Sequence, residues 1–222
     1  LCDDQVSQRV PLGFGFLYFG ETYDSIEVSS NGLVSFGTLN GDSLCCNGVP
    51  LDGLGAPPAI FGLWTDLAPH YDPATGTMRS PTGNPRVGTM TLPDGRREFV
   101  IQWSGVSEFF NGQLNSFEIR IRETGEILLN YGGLNVTSHS VTAGLTGRTI
   151  NDTSQLFYRE GPFTNNNVLS DISNSHALFR QPDPVSQIST QSIYAILEGG
   201  SNLTINTRDF SSANSLNAAV GN

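Results

Sequence analysis

The sequence predicts an all-β fold: an antiparallel, sandwich-like domain over residues 1–182 with little helix, followed by a β-type C-terminal segment over 183–222. Three observations carry this reading. Gly, Pro, Ser, Thr and Asn supply 96 of the 222 residues, a stock of turn formers rather than of surface-helix residues. Hydrophobic residues still make up 37%, with 13 Phe, which is enough to build a sizeable core and excludes a disordered chain. Apolar residues alternate with small or polar ones in one segment after another, whereas no window of a dozen residues keeps a 3.6-residue period.

Taken in order, Phe14, Phe16 and Tyr18, with Val10 and Leu12 as an extension, alternate with small residues as one buried strand face would. Residues 25–30 and 33–37 flank Asn31-Gly32, a strong hairpin signal because both residues accept positive φ. Residues 38–58 form a long irregular segment that needs a tether. An apolar run follows over 59–66, and residues 76–80 and 87–92 are expected to pair around Pro81–Pro85. Pro93-Asp94-Gly95 then turns the chain into a strand with Phe99, Ile101 and Trp103 on one face. Phe117, Ile119 and Ile121 alternate with Glu118, Arg120 and Arg122, and after Thr124-Gly125 the pattern repeats in Ile127, Leu129 and Tyr131. Residues 141–145 close this block, and 150–182 turn Asn/Ser-rich with isolated apolar pairs. Gln181-Pro182-Asp183-Pro184 is a rigid, extended break, beyond which 188–197 and 202–207 read as two strands.

Charge narrows the function classes. Eleven basic against 21 acidic side chains give a net charge of −10, which excludes a nucleic-acid partner, since phosphate neutralisation needs clustered cations. All the basic residues are Arg, so Schiff-base, P-loop and other Lys-dependent mechanisms are excluded as well. The longest strongly apolar stretch, residues 56–64, is far short of the roughly 20 residues that span a bilayer, so no membrane span is expected. A chain that starts at Leu1 is expected to be a mature product or a fragment of something longer.

Groups that could do chemistry are sparse. His70, His139 and His176 are scattered and no Gly-x-Ser-x-Gly elbow exists, so surface or capping histidines are expected and no catalytic residue is assigned. No cofactor or metal is expected; Asp66, His70 and Asp72, which fall within seven residues, are the candidates for a Ca²⁺ or Zn²⁺ site, against ordinary turn chemistry. Of the three cysteines, Cys2 is expected to bond Cys45 or Cys46, leaving one thiol that is either buried and inert or paired outside the chain. Asn135, Asn151 and Asn202 begin N-glycosylation triplets, at about the number chance supplies. Tyr71, Phe109 and Phe110, with Asp72 and Asn111, could stack on a sugar; the plainer alternative packs the rings under their loop.

The segments Phe16-Leu17-Tyr18-Phe19-Gly20-Glu21-Thr22-Tyr23 and Ile26-Glu27-Val28-Ser29-Ser30-Asn31-Gly32-Leu33-Val34-Ser35-Phe36-Gly37 resemble the opening of the nidogen-type extracellular (NIDO) domain. The likeness continues through Trp64-Thr65-Asp66-Leu67, residues 96–103, residues 115–119 and Ala143-Gly144-Leu145, and covers about residues 3–150. Cys45-Cys46-Asn47-Gly48 is more similar to bacterial secreted members than to animal nidogen, tectorin or mucin members. The resemblance implies a secreted or cell-surface β-rich module of matrix and adhesive proteins, without catalytic activity. As an extension of that role, the segment after 183 could leave its own domain and add a strand to a neighbour, building a homo-oligomer or filament; alternatively it completes its own sandwich. The expected partners are therefore further copies of the chain or matrix and surface glycans.

Overall fold

The computed structural model describes residues 1, 3–39, 44–69, 83–110, 112–163 and 169–180, together with the backbone of 71–72, 77–78, 194–198 and 220–221. Among them are sixteen strands and no helix. The first seven are β1 (Val10–Tyr18), β2 (Glu21–Val28), β3 (Leu33–Ser35), β4 (Ala59–Trp64), β5 (Leu67–Ala68), β6 (Tyr71–Asp72) and β7 (Thr77–Met78). Then come β8 (Arg86–Thr91), β9 (Arg97–Glu108), β10 (Leu114–Arg122), β11 (Ile127–Tyr131), β12 (Val141–Thr146), β13 (Thr153–Arg159), β14 (His176–Arg180), β15 (Tyr194–Glu198) and β16 (Val220–Gly221). One sheet has the order β1-β2-β3-β4-β12-β13 and the other β16-β15-β14-β11-β10-β9-β5, with β8 also on β9 and a separate β6-β7 pair. All pairings are antiparallel except β15 with β16, so the chain is the expected β-sandwich.

The inner faces meet in one apolar cluster. β1 contributes Leu12, Phe14, Phe16 and Tyr18, against Phe99, Ile101, Trp103, Phe117, Ile119, Ile121, Ile127 and Leu129 of the facing sheet. Trp103 stacks on Phe117 with ring centres 4.8 Å apart. Two buried phenols tie backbone across this core: Tyr131 Oη donates to the Gly62 carbonyl at 2.9 Å, and Tyr18 Oη lies 2.7 Å from the Ala59 carbonyl and 3.0 Å from that of Thr146. Burial pushes both phenols well above their ordinary pKa, so they remain donors.

β3 and β4 are buried on both faces. Val34 and Ile60, paired in register, face the sandwich core, whereas Leu33 and Phe61, one step along, join Leu39, Leu44, Leu51, Ala59 and Trp64 in a second cluster. The long segment after β3 is therefore tethered by apolar packing and by polar contacts to the sheet: Trp64 Nε1 donates to the Leu44 carbonyl, Thr142 Oγ1 to that of Val49, and Leu51 N–H to Gln155 Oε1.

Three local expectations change. Residues 87–92 pair with β9 rather than with 76–80: β8 runs in register from Arg86↔Gln102 to Thr91↔Arg97, because the Pro93-Asp94-Gly95 turn closes directly, with Gly95 at φ +85°. Residues 77–78 pair instead with 71–72. At Asn31-Gly32 only glycine takes positive φ, +81°, and Asn31 is buried. β13 and β14 occupy the segment that offered no clear strand pattern. In β13 the register jumps from Ala143↔Phe157 to Gly144↔Gln155, so Leu156 is an extra residue and both Leu156 and Phe157 are buried. Beyond residue 183, β15 lies on β14 with Leu178↔Ile196, and 202–207 fall outside the described residues.

Gly32 and Gly13 separate backbone strain from steric conflict. Both need positive φ, +81° and +83°, but a Cβ on Gly32 would drive into the Leu63 carbonyl, whereas one on Gly13 meets nothing within 4 Å. Gly13→Ala is expected to cost about 1 kcal/mol in urea denaturation and Gly32→Ala roughly 3 kcal/mol or more. Equal costs would show that the close approach at Gly32 relaxes freely.

Candidate functional site around His139

The polar centre of the molecule is created by a bulge. Along β9, Phe99, Ile101 and Trp103 point inward, but the pairing with β10 jumps from Phe117↔Trp103 to Asn115↔Val106, with Gly105 at φ +63°. That extra residue inverts the phase, so Val106 and then Glu108 face the interior. Glu108 is fully buried, and its carboxylate is met by the β11–β12 connection. Oε2 accepts from Thr137 N–H at 2.8 Å and Thr137 Oγ1 at 3.2 Å; Oε1 accepts from Ser138 N–H and His139 N–H, both at 2.8 Å. The His139 ring adds Nδ1 at 3.0 Å from Oε1. Backbone dipoles and an imidazole thus replace the water that this charge has lost.

His139 Nε2 faces the other way, 3.5 Å from Asp66 Oδ2. Asp66 sits between β4 and β5 and is itself buried, its backbone carbonyl accepting from Phe109 N–H. The N-terminal segment closes over it, held beside β2 by Ser7 N–H to the Val28 carbonyl and Ser30 N–H to that of Gln5. Asp3, Asp4 and Asp66 then bring carboxylate oxygens within 4.8 Å of one another. Asn31 braces this junction: its Nδ2 donates to Asp4 Oδ1 at 2.8 Å and its Oδ1 accepts from Leu67 N–H at 3.0 Å.

Burial, opposed by His139 and reinforced by Asp3, Asp4 and Glu108, raises the Asp66 pKa to about 7. Burial and the neighbouring Asp4 raise Asp3 to about 6. His139 is raised too, first by its bond to Glu108, against desolvation, and then by the charges of Asp66 and Glu108. Both imidazole nitrogens face carboxylates, which leaves neither directed at a hydroxyl or thiol.

The residues singled out from sequence are distributed unevenly over this site. Asp66 belongs to it, but His70 lies outside the described residues and only the backbone of Tyr71 and Asp72 is described. The structure brings Asp66 to Asp3 and Asp4, and places His139, expected at the surface or in a cap, between two acids. Cys45 is joined to its neighbour Cys46, and Cys2, from which a bridge to either was expected, lies outside the described residues. Asp4 Oδ2 lies 3.1 Å from Cys45 Sγ. Phe109 is half-buried, and Phe110 is 67% exposed at φ +63° with its ring centre 3.9 Å from that of Phe109. Asn111 and Asn202 lie outside the described residues. Asn135 is exposed, but its Nδ2 donates to the Leu114 carbonyl and its triplet's Thr137 is bound to Glu108; Asn151 is exposed on the turn before β13. Asp3, Asp4 and Glu108 were missed. The signals for them were a paired acid at the chain start and a lone Glu ending an apolar strand.

Raised pKa values for Asp3, Asp66 and His139 mean that the folded state holds their protons more tightly than the unfolded chain. Each contribution is fully present below the unfolded pKa and is lost as pH rises through the folded one. Glu123 and Glu126, lowered by Arg97 and by Arg122 with Arg180, act oppositely and lose stability in acid. In chelator-treated buffer the urea midpoint is expected to fall between about pH 5 and pH 8, and Asp66→Asn to flatten that fall. A midpoint that rises over this range contradicts the assignment.

Comparison with curated proteins and with solved structures finds no match. A family model does match, that of the NIDO-related family, over residues 1–215. That span contains every strand but β16 and every member of the acidic cluster, and this chain belongs to the NIDO-related family.

Proposed function

We propose that the chain is a non-catalytic structural or adhesive module that acts outside the cell through its surfaces, and that copies of it join by strand addition. The family is of an extracellular type, and no helix among the described residues is long and apolar enough to cross a membrane. The observation that carries the reading is the edge of β14. It receives β15 of its own chain along five residue pairs, from His176↔Glu198 to Arg180↔Tyr194, and the sequence between the two strands carries Gln181-Pro182-Asp183-Pro184. The same main-chain ladder forms whether the strand comes from its own chain or from a neighbour, and head-to-tail exchange propagates into filaments. The non-catalytic part rests on His139, whose two ring nitrogens are turned to Glu108 and Asp66.

Light scattering and negative-stain microscopy of the full chain test this reading, with Ile196→Pro, which removes a ladder donor, as the comparison. Wild type is expected to assemble as its concentration rises, and the variant to stay monomeric. A wild type that remains monomeric at every concentration contradicts strand exchange.

A second reading, a glycan-binding surface, is favoured by Phe110, a bulky ring held exposed in a left-handed backbone conformation beside Phe109. Glycan-array binding that falls at least about tenfold in Phe110→Ala supports it; binding that is absent, or equal in both proteins, counts against it.

A further inference from the structure

We propose that Asp3, Asp4 and Asp66 form a calcium site that clamps the N-terminal segment onto the β4–β5 junction. The three residues offer oxygens within 4.8 Å of one another, a spacing that one ion with Ca–O bonds of about 2.3–2.6 Å can bridge. Proximity of acids alone would not carry this; the state of their oxygens does. The Asp66 side chain is only 8% exposed and accepts no hydrogen bond among the described residues, its nearest cationic atom being His139 Nε2 at 3.5 Å. Asp3 Oδ1 is fully buried and has no hydrogen-bond partner among the described residues.

Among the described residues the other buried carboxylates have partners. Glu98 lies between Arg120 and Arg122 at 2.8 and 2.7 Å, Glu27 accepts from Leu39 N–H at 2.7 Å, and Glu108 has its three N–H donors and the His139 ring. In a chain that partners its buried acids this consistently, two converging carboxylates with unused oxygens mark the place of a missing positive charge. His139 does not supply it, because it is shared with Glu108 at 3.0 Å.

The donor set selects the ion. All three groups are hard oxygen donors, which suits Ca²⁺ over the nitrogen- and sulfur-seeking Zn²⁺. The nearby sulfurs of Cys45 and Cys46 are bonded to each other and are not available as thiolates. The junction joins a turn of the N-terminal segment to the short β4–β5 connection, an adaptable frame that fits calcium's variable coordination better than the strict octahedron of Mg²⁺. Asn31 holds Asp4 in place through its Nδ2, and through its Oδ1 fixes Leu67, the residue after Asp66. The ion would thus join residues more than sixty positions apart.

Isothermal titration and thermal melting of the chelator-treated full chain with Ca²⁺, and separately with Mg²⁺, test the proposal. One Ca²⁺ is expected to bind per chain with a Kd of about 10⁻⁴–10⁻³ M or tighter, to raise the melting temperature by several degrees, and to bind at least about tenfold more tightly than Mg²⁺. Asp3→Asn changes an oxygen that no hydrogen bond uses among the described residues and removes one of the crowded charges, so its metal-free melting temperature should not fall below that of wild type, while Ca²⁺ affinity drops at least about tenfold. Asp24→Asn, at an exposed acid outside the cluster, should bind as wild type does. Absence of heat and of any melting shift up to about 10 mM Ca²⁺ overturns the site, as does wild-type affinity in Asp3→Asn. Equal affinity for Mg²⁺ overturns the choice of ion.

Discussion

A carboxylate cannot be buried alone, and in this protein the demand of Glu108 for partners shapes everything around it. The Gly105 bulge turns its side chain inward. Once inside, it is held by a connection that presents three successive N–H groups, those of residues 137–139, at 2.8 Å each. That wrap places His139 beside it, His139 faces Asp66, and Asp66 meets the N-terminal Asp3 and Asp4. Four segments distant in sequence are thereby fixed by one charge and its consequences.

The apolar framework makes such a centre affordable. β3 and β4 bury one set of side chains against the facing sheet and the alternate set against Leu39, Leu44, Leu51, Leu54 and Ala56, so the first sheet has a second, smaller core behind it. Ties such as Tyr131 to Gly62 and Trp64 to Leu44 satisfy polar atoms that this double burial would otherwise strand. The outer face of β9, β10 and β11 solves its own charge problem in a row, with Glu98, Arg120, Glu118, Arg122 and Glu126 alternating in sign across strands.

The sandwich was legible wherever alternation was uninterrupted: Leu12 to Tyr18, Phe117 to Ile121 and Ile127 to Tyr131 all point their apolar residues inward as period two requires. It was illegible at bulges. One extra residue at Leu156 buries two neighbours and conceals β13, and the bulge at Gly105 hides the inward turn of Glu108, because a phase shift leaves no trace in a period count. The site was legible only in Asp66. Sequence neighbours suggested His70 and Asp72, whereas the chain brings up Asp3 and Asp4 through the isolated bridge between Val6 and Ser29, a contact that no local pattern announces. Asn31 was read as a turn former, and it is also the brace of the acidic junction.

Around His139 the acidic side chains hold distant segments together, in a chain that belongs to the NIDO-related family. His139 is the most direct witness. In an NMR titration of its ring, the account predicts a midpoint above the ordinary value of about 6.5, with both ring protons slow to exchange because each faces an acid. A ring that titrates at or below that value, with one nitrogen exchanging freely with water, would contradict it.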